Sequence, residues 1–128
     1  MREEIRTYGR LAETEAECYL RRKGYRILHR NIRLSAGELD LVVEQKNVLV
    51  FVEVKARRTS SHGGAPYAVD ARKQGRLIRL AAQYLARHRL ASPLCRFDVV
   101  LCSGRPGHSN VIEHIENAFE VPGDDLRW

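Results

Sequence analysis

Gly37-Glu38-Leu39-Asp40-Leu41-Val42, followed by Phe51-Val52-Glu53-Val54-Lys55, is the stretch that decides how this chain folds. Both segments have the branched, apolar make-up of strands, and Gln45-Lys46-Asn47 between them reads as the joint of a hairpin. Side chains alternate across a strand, so Glu53 and Lys55 share one face. Val48, Val50, Val52 and Val54 take the other face and should pack against helices. On the preceding strand Glu38, Asp40, Val42 and Glu44 share a face, with Leu39, Leu41 and Val43 opposite. One end of the Glu53 face is thus apolar and the other charged, which is unusual for a purely structural sheet. Antiparallel partners in a hairpin have residue numbers of constant sum, and bringing Asp40 and Glu53 to one face requires an odd sum. A sum near 93 sets Asp40 opposite Glu53 and Glu38 opposite Lys55; a sum near 91 sets Asp40 opposite Phe51 and diagonal to Glu53. In either register two carboxylates meet, and like charges destabilise a sheet. A hard cation such as Mg²⁺ would remove that penalty, since it takes one or two carboxylates together with water and phosphate. Lys55, roughly 7 Å along the strand from Glu53, would then reach an attacking water or a phosphate oxygen. The competing reading is a solvated ion-pair cluster on a half-exposed sheet.

Working outward, residues 3–23 read as a helix with Tyr8, Leu11, Ala12, Ala16 and Tyr19 on one face. Arg21-Arg22-Lys23 and then Gly24 form its C-terminal stop. Residues 25–33 read as a strand, as do 37–44 and 48–56, and 59–66 is a loop rich in Ser and Gly. A second helix is expected over 68–88. Its apolar side holds Leu77, Ile78, Ala81, Tyr84, Leu85 and His88, and its opposite side Arg72, Arg76, Arg79 and Gln83, with Lys73 and Arg87 nearer the border. Ser92-Pro93 ends it. Residues 96–102 read as a fourth strand, 103–110 as a turn, 111–115 as a fifth strand, and 117–119 as a turn or short helix. The fold class is α/β, a mixed sheet flanked by helices in the order helix, three strands, helix, one or two strands. Residues 1–120 form a single domain and 121–128 a polar tail.

The chain has 128 residues, 44% of them hydrophobic, enough for one domain with a real core. Twenty-two Lys and Arg against sixteen Asp and Glu give a net charge of +6 and an isoelectric point near 9.6. That excess points to a polyanion, nucleic acid first, although proteins that bind none can share it. Cys18, Cys95 and Cys102 form no CxxC pair, which argues against a disulfide framework and for the cytoplasm. The charged N-terminus shows no signal peptide, and no apolar run approaches the ~20 residues of a membrane helix.

Gly9-x-x-x-Glu13-x-x-Ala16 with Tyr19-Leu20 and Gly24-Tyr25, Arg30-Asn31 with Gly37 to Leu41, and Phe51 to Lys55 together resemble the YraN-like family. That group is uncharacterised and related to Holliday-junction resolvases within the PD-(D/E)XK nuclease superfamily. Val69 with Lys73, Arg96-Phe97-Asp98-Val99-Val100 and Asn117-Ala118-Phe119 fit it too. The resemblance implies a restriction-endonuclease-like core and a metal-dependent endonuclease acting on DNA, with branched or structured DNA as a substrate. It implies Mg²⁺ or Mn²⁺ as cofactor, held by Asp40, Glu53 and the main-chain carbonyl of Val54. Lys55 would orient or activate water. A first-helix Glu often completes such a site, and Glu13 matches the family spacing, with Gly9 one turn earlier leaving room. Glu15 lies nearer the apolar face of that helix, but the family spacing favours Glu13. Position 39 is Leu where the superfamily motif has Pro. Resolvase relatives also imply pairing into a homodimer.

Arg72, Lys73, Arg76 and Arg79, with Arg57 and Arg58, are the residues expected to contact nucleic-acid phosphates, in a salt-sensitive and sequence-blind way. The same stripe also reads as an ordinary solvated helix face. Gln74 is a further residue that would reach the site. The loop at 59–66 would close over substrate or serve as a plain connector. The five histidines are scattered without metal spacing, and Asp98 is expected to pair with an Arg and hold the fourth strand. No phosphate-binding Gly loop or nucleophile elbow is present. The alternative function is a nucleic-acid-binding or scaffolding domain that keeps the nuclease fold without turnover.

Overall fold

The computed structural model describes residues 2–57, 68–89, 94–104 and 111–121, with side chains from Arg10 onward. The chain runs α1 (Arg2–Arg22), β1 (Arg26–Leu34), β2 (Gly37–Gln45), β3 (Val48–Arg57), α2 (Ala71–Arg87), β4 (Leu94–Ser103) and β5 (Val111–Ile115). This is the mixed α/β order expected, with the fifth strand present. The strands form one sheet in the order β1-β2-β3-β4-β5. β3 and β4 are parallel and every other neighbour pair is antiparallel. A parallel pair needs a long crossover, and α2 lies in the segment between those two strands. The loop at 59–66, most of the 103–110 turn and residues 122–128 lie outside the described residues.

Local chemistry sets the element ends. Lys46 and Asn47 both have positive φ, +52° and +65°, the requirement of a two-residue type I′ turn. That turn pins β2 to β3 from Gln45↔Val48 to Leu41↔Val52, which is the register of sum 93. α1 closes on Gly24 at φ +92°. There the Gly24 and Tyr25 amides donate back to the Arg21 and Leu20 carbonyls at 3.0 Å each, a Schellman closure. α2 begins at Ala71, three residues later than expected, because the Asp70 carboxylate accepts the Lys73 amide and caps the helix.

Both sheet faces are covered. On one, Ala12, Ala16 and Leu20 of α1 pack on Leu41, Val43, Val50, Val52, Val100 and Cys102. On the other, Leu77, Leu80, Ala81 and Tyr84 of α2 pack on Leu39, Val42, Leu49, Phe51, Phe97, Val99 and Leu101. Two details of the expected helix faces change. The α1 stripe is the i, i+4 row through Ala12, Ala16 and Leu20; Leu11, about 100° off that row, is exposed. In α2 Leu80 is fully buried, whereas His88 is the exposed C-terminal cap. All three cysteines are free. Among the described residues no helix is long and apolar enough to cross a membrane.

Asp98 is the one buried charge among the described residues. Arg96 donates to both its oxygens, at 2.8 and 2.9 Å. His114 Nε2 donates at 2.7 Å and the Asn117 amide at 3.0 Å. The expected Arg partner is therefore joined by a His and a main-chain donor, and 117–119 forms a turn around the carboxylate rather than a helix. Arg96 also donates to Tyr25 Oη at 2.7 Å, tying β4 and β5 to the end of α1. Burial pushes the Asp98 pKa up, but the hydrogen bonds from His114, Arg96 and Asn117 outweigh it and hold the pKa below the usual carboxylate range. A depressed folded pKa gives stability that is complete above the unfolded value near 4 and lost as pH falls through the folded one. Asp98→Ala should cost about 3–5 kcal/mol at neutral pH, because it leaves Arg96 half-buried without its carboxylate. Urea unfolding will check this, and below about pH 4 the wild type should lose stability more steeply than the variant.

Candidate functional site

Past Leu41↔Val52, β2 and β3 part. β2 stays with β1 to the Leu34↔Gly37 pair, and β3 stays with β4 to Arg57↔Ser103. Asp40 and Glu53, the next pair in register, flank the fork this opens. There the Asp40 Oδ2 accepts the Val54 amide at 2.9 Å, satisfying a backbone donor the ladder has released. In an extended strand the N–H and C=O of one residue point to the same edge, so the Val54 carbonyl also faces the fork.

β2 turns over at this point. Leu39 packs on the α2 side with Val42, while Leu41 and Val43 pack on the α1 side. Leu39, Leu41 and Val43 therefore do not share a face, as strict alternation would have it. β1 turns with it: Arg30, partner of Leu41, ion-pairs with Glu17 of α1, and Ile32, partner of Leu39, packs on the α2 side. Between them Asn31 takes φ +52°, a left-handed conformation that Asn tolerates better than most residues. Its side chain hydrogen-bonds to Glu13.

The structure brings Glu13, Glu53 and Glu38 within electrostatic reach of Asp40. Glu15 instead acts on Cys102. Burial, opposed by the Val54 hydrogen bond and reinforced by the three neighbouring carboxylates, pushes the Asp40 pKa up to about 6. Burial also raises Glu13, against its hydrogen bond from Asn31. Lys55 lies two residues beyond Glu53 and is exposed. Glu38 is not opposite Lys55, since the strands have parted; it lies 3.7 Å from Arg33.

Lys73, read from sequence as a phosphate contact, places its ammonium 2.5 Å from Glu53 Oε1. Arg76 lines a cavity of about 320 Å³ together with Asp40, Glu53, Phe51, Phe97 and Phe119. Arg72 and Arg79 are exposed on α2, Arg57 donates to Ser103 Oγ at 3.3 Å, and Arg58 lies outside the described residues. Gln74 spends its amide on the Val69 carbonyl at the start of α2. Sequence reasoning missed the roles of Asn31 and Lys73. An Asn in the middle of a strand was the signal for the first; the second was placed in the basic stripe as a phosphate contact, and its partner Glu53 lies on a strand distant in sequence.

Among the described residues no group of three or more His, Cys, Asp or Glu is gathered as a metal cage. The donors at the fork are instead the carboxylates of Asp40 and Glu53 and the Val54 carbonyl, with Glu13 acting from α1. Hard oxygens in this small number suit Mg²⁺ or Mn²⁺, which fill their remaining positions with water and phosphate. The raised Asp40 pKa marks negative charge that a cation would compensate. The residues fit such an ion.

A model of the Uncharacterised protein family UPF0102 matches residues 12–102, which include Glu13, Asp40, Glu53, Lys55 and Lys73. A UPF0102 protein of Syntrophotalea carbinolica is 49% identical over 115 residues, covering 90% of this chain and 93% of that protein. Another, of Frankia casuarinae, is 50% identical over 112 residues, covering 87% and 94%. Among solved structures, Pyrococcus furiosus SfsA in complex with Ca²⁺ is similar at 18% identity and a TM-score of 0.39. That match covers 94% of this chain and 65% of the other, and is too distant to transfer any property.

The electrostatics of Asp40 can be checked without any ligand. Its folded pKa of about 6 exceeds the ordinary 3.8, so the folded state holds a proton that the unfolded chain has released. Stability therefore falls as pH rises through this window, and the full cost is present above pH 6. Asp40→Asn keeps an acceptor for the Val54 amide and removes the charge. In urea unfolding it should be about 2–3 kcal/mol more stable than wild type at pH 8, with the gain gone by about pH 4.

Proposed function

The chain belongs to the Uncharacterised protein family UPF0102, and we propose that it is a metal-dependent endonuclease hydrolysing phosphodiester bonds of DNA, branched or structured DNA in particular. The observation that carries this reading is the fork: two strands part so that Asp40 and Glu53 flank one opening, with Lys55 following on the same strand. Asp40, Glu53 and the Val54 carbonyl would hold Mg²⁺ or Mn²⁺, with Glu13 adding negative charge from α1. The ion, when bound, supplies positive charge to the scissile phosphate and activates water at neutral pH. Lys55, exposed and two residues past Glu53, orients the attacking water or a phosphate oxygen. Arg72, Arg76 and Arg79 on α2, with Arg57 and Arg58, contact flanking phosphates and set register without reading bases.

One observation favours a second reading. The Lys73 ammonium already neutralises Glu53 without any metal, as suits a DNA-binding domain that keeps the fold without turnover. Incubation with single-stranded, nicked and four-way DNA separates the two. Cleavage dependent on Mg²⁺ or Mn²⁺, lost in EDTA, is expected, with Asp40→Asn and Glu53→Gln at least about 100-fold slower and Lys55→Met slower by about 10²–10⁴. Mn²⁺ should also raise the urea midpoint of the wild type at pH 8 but not that of Asp40→Asn. Absence of any metal-dependent product, or equal cleavage by Asp40→Asn, would sink the nuclease reading. Binding that persists in EDTA without cleavage would establish the second.

Binding to DNA should weaken with salt. Replacing Arg72, Arg76 or Arg79 by Ala should each lower the slope of log affinity against log salt by about 0.9 per lost phosphate contact, with little change in sequence preference. Fluorescence anisotropy across a salt series measures it.

A further inference from the structure

Lys73 lies in the first turn of α2, where the Asp70 cap fixes its amide at 2.8 Å. From that anchored backbone its side chain reaches Glu53 of β3, and the paired side chains are only 23% and 14% exposed. Sheltered pairs of this kind are unlike the freely solvated ones that contribute little. A cation in the first turn opposes the helix dipole, and no acidic residue in that turn offsets it. The Asp70 carboxylate at the cap and Glu53 across from the helix both supply negative charge beside this ammonium. The pair also stands beside Asp40: Asp40 and Glu53 line the same cavity, and Glu53 is among the charges that raise the Asp40 pKa.

We propose that Lys73 is a resident counter-ion of the site, holding the place of the divalent cation at Glu53 and moving to the phosphate of the nucleic acid when the cation binds. The proposal rests on the metal reading of the fork. A lysine suits the exchange: it is a compact charge on a flexible four-carbon stem, so the ammonium can change partners while the capped backbone stays still. Because ammonium and metal compete for one carboxylate, each weakens the other's hold. A phosphate that draws Lys73 away from Glu53 removes the competitor, so DNA and metal favour one another's binding. Lys73 is thereby distinguished from Arg72 and Arg79, which would contact phosphate in the same way whether or not metal is bound.

The test is Mn²⁺ binding to the whole chain without DNA, followed by electron paramagnetic resonance of the free ion. Lys73→Met should bind Mn²⁺ at least about fivefold more tightly than wild type, yet cleave DNA more slowly. Lys73→Arg should stay near the wild-type affinity, and Arg26→Ala, which removes a charge paired with Glu44 far along the strand, should leave it unchanged. A purely structural lysine would lower metal binding and cleavage together. If wild type binds Mn²⁺ and Lys73→Met binds it equally or less tightly, the counter-ion role is overturned while the metal site stands. If neither protein binds Mn²⁺, the metal reading falls and the proposal with it. Should Lys73→Met fail to fold, the wild type carries the test by itself: the ¹⁵N signal of the Lys73 ammonium should shift on adding Mg²⁺, and an unmoved signal overturns the exchange.

Discussion

Past Leu41, β2 keeps its pairing with β1 and gives up its pairing with β3. The type I′ turn at Lys46-Asn47 locks the hairpin at its closed end, while the outer strands hold the two arms apart at the other. Every feature of the site depends on this divergence. It releases the Val54 amide, which the Asp40 carboxylate takes up. It aims the Val54 carbonyl into the gap, and it sets Asp40 and Glu53 on the two arms. A continuous ladder would have buried that edge in backbone hydrogen bonds and left no opening between the arms.

Asp40 and Asp98 show how one residue type is put to two uses. Both are withdrawn from water, and burial raises the pKa of each. Asp98 accepts from Arg96, His114 and the Asn117 amide, so its charge is compensated and its pKa falls. Asp40 accepts from the Val54 main-chain amide and faces three carboxylates, so its pKa climbs to about 6. The first arrangement stabilises the fold, joining β4, β5 and the end of α1. The second destabilises it at neutral pH, and strain of that kind is characteristic of sites that bind a counter-charge. Asn31 and Lys73 flank the acidic cluster around Asp40, one on the bend in β1 beside Glu13 and the other on α2 beside Glu53.

Much of this was legible in the chain because its signals are local. Period-two alternation marked the strands, Gly24 and the cations before it marked the end of α1, and the acidic pair on neighbouring strands marked Asp40 and Glu53. The constant-sum rule narrowed the register to two, and the turn dihedrals selected one. The burial of Leu20 and Leu80 was less legible, because periodicity points a helix stripe in a direction but leaves its edges to the partner it meets.

The sequence by itself thus determined the elements, their order and which two carboxylates would lie close, since these follow from side-chain period and turn chemistry along short stretches. Tertiary structure alone decided where β2 leaves β3, why Leu39 and Leu41 face opposite layers, and that Lys73 reaches Glu53, while Glu13, favoured over Glu15 by the family spacing, is the one that acts on Asp40. Each depends on competition between neighbours far apart in the chain: β1 on one edge of β2 against β3 on the other for the direction the strand takes, and solvent against the Glu53 carboxylate for the Lys73 ammonium. No local pattern encodes the outcome of such a competition, because it is settled only when the sheet is assembled.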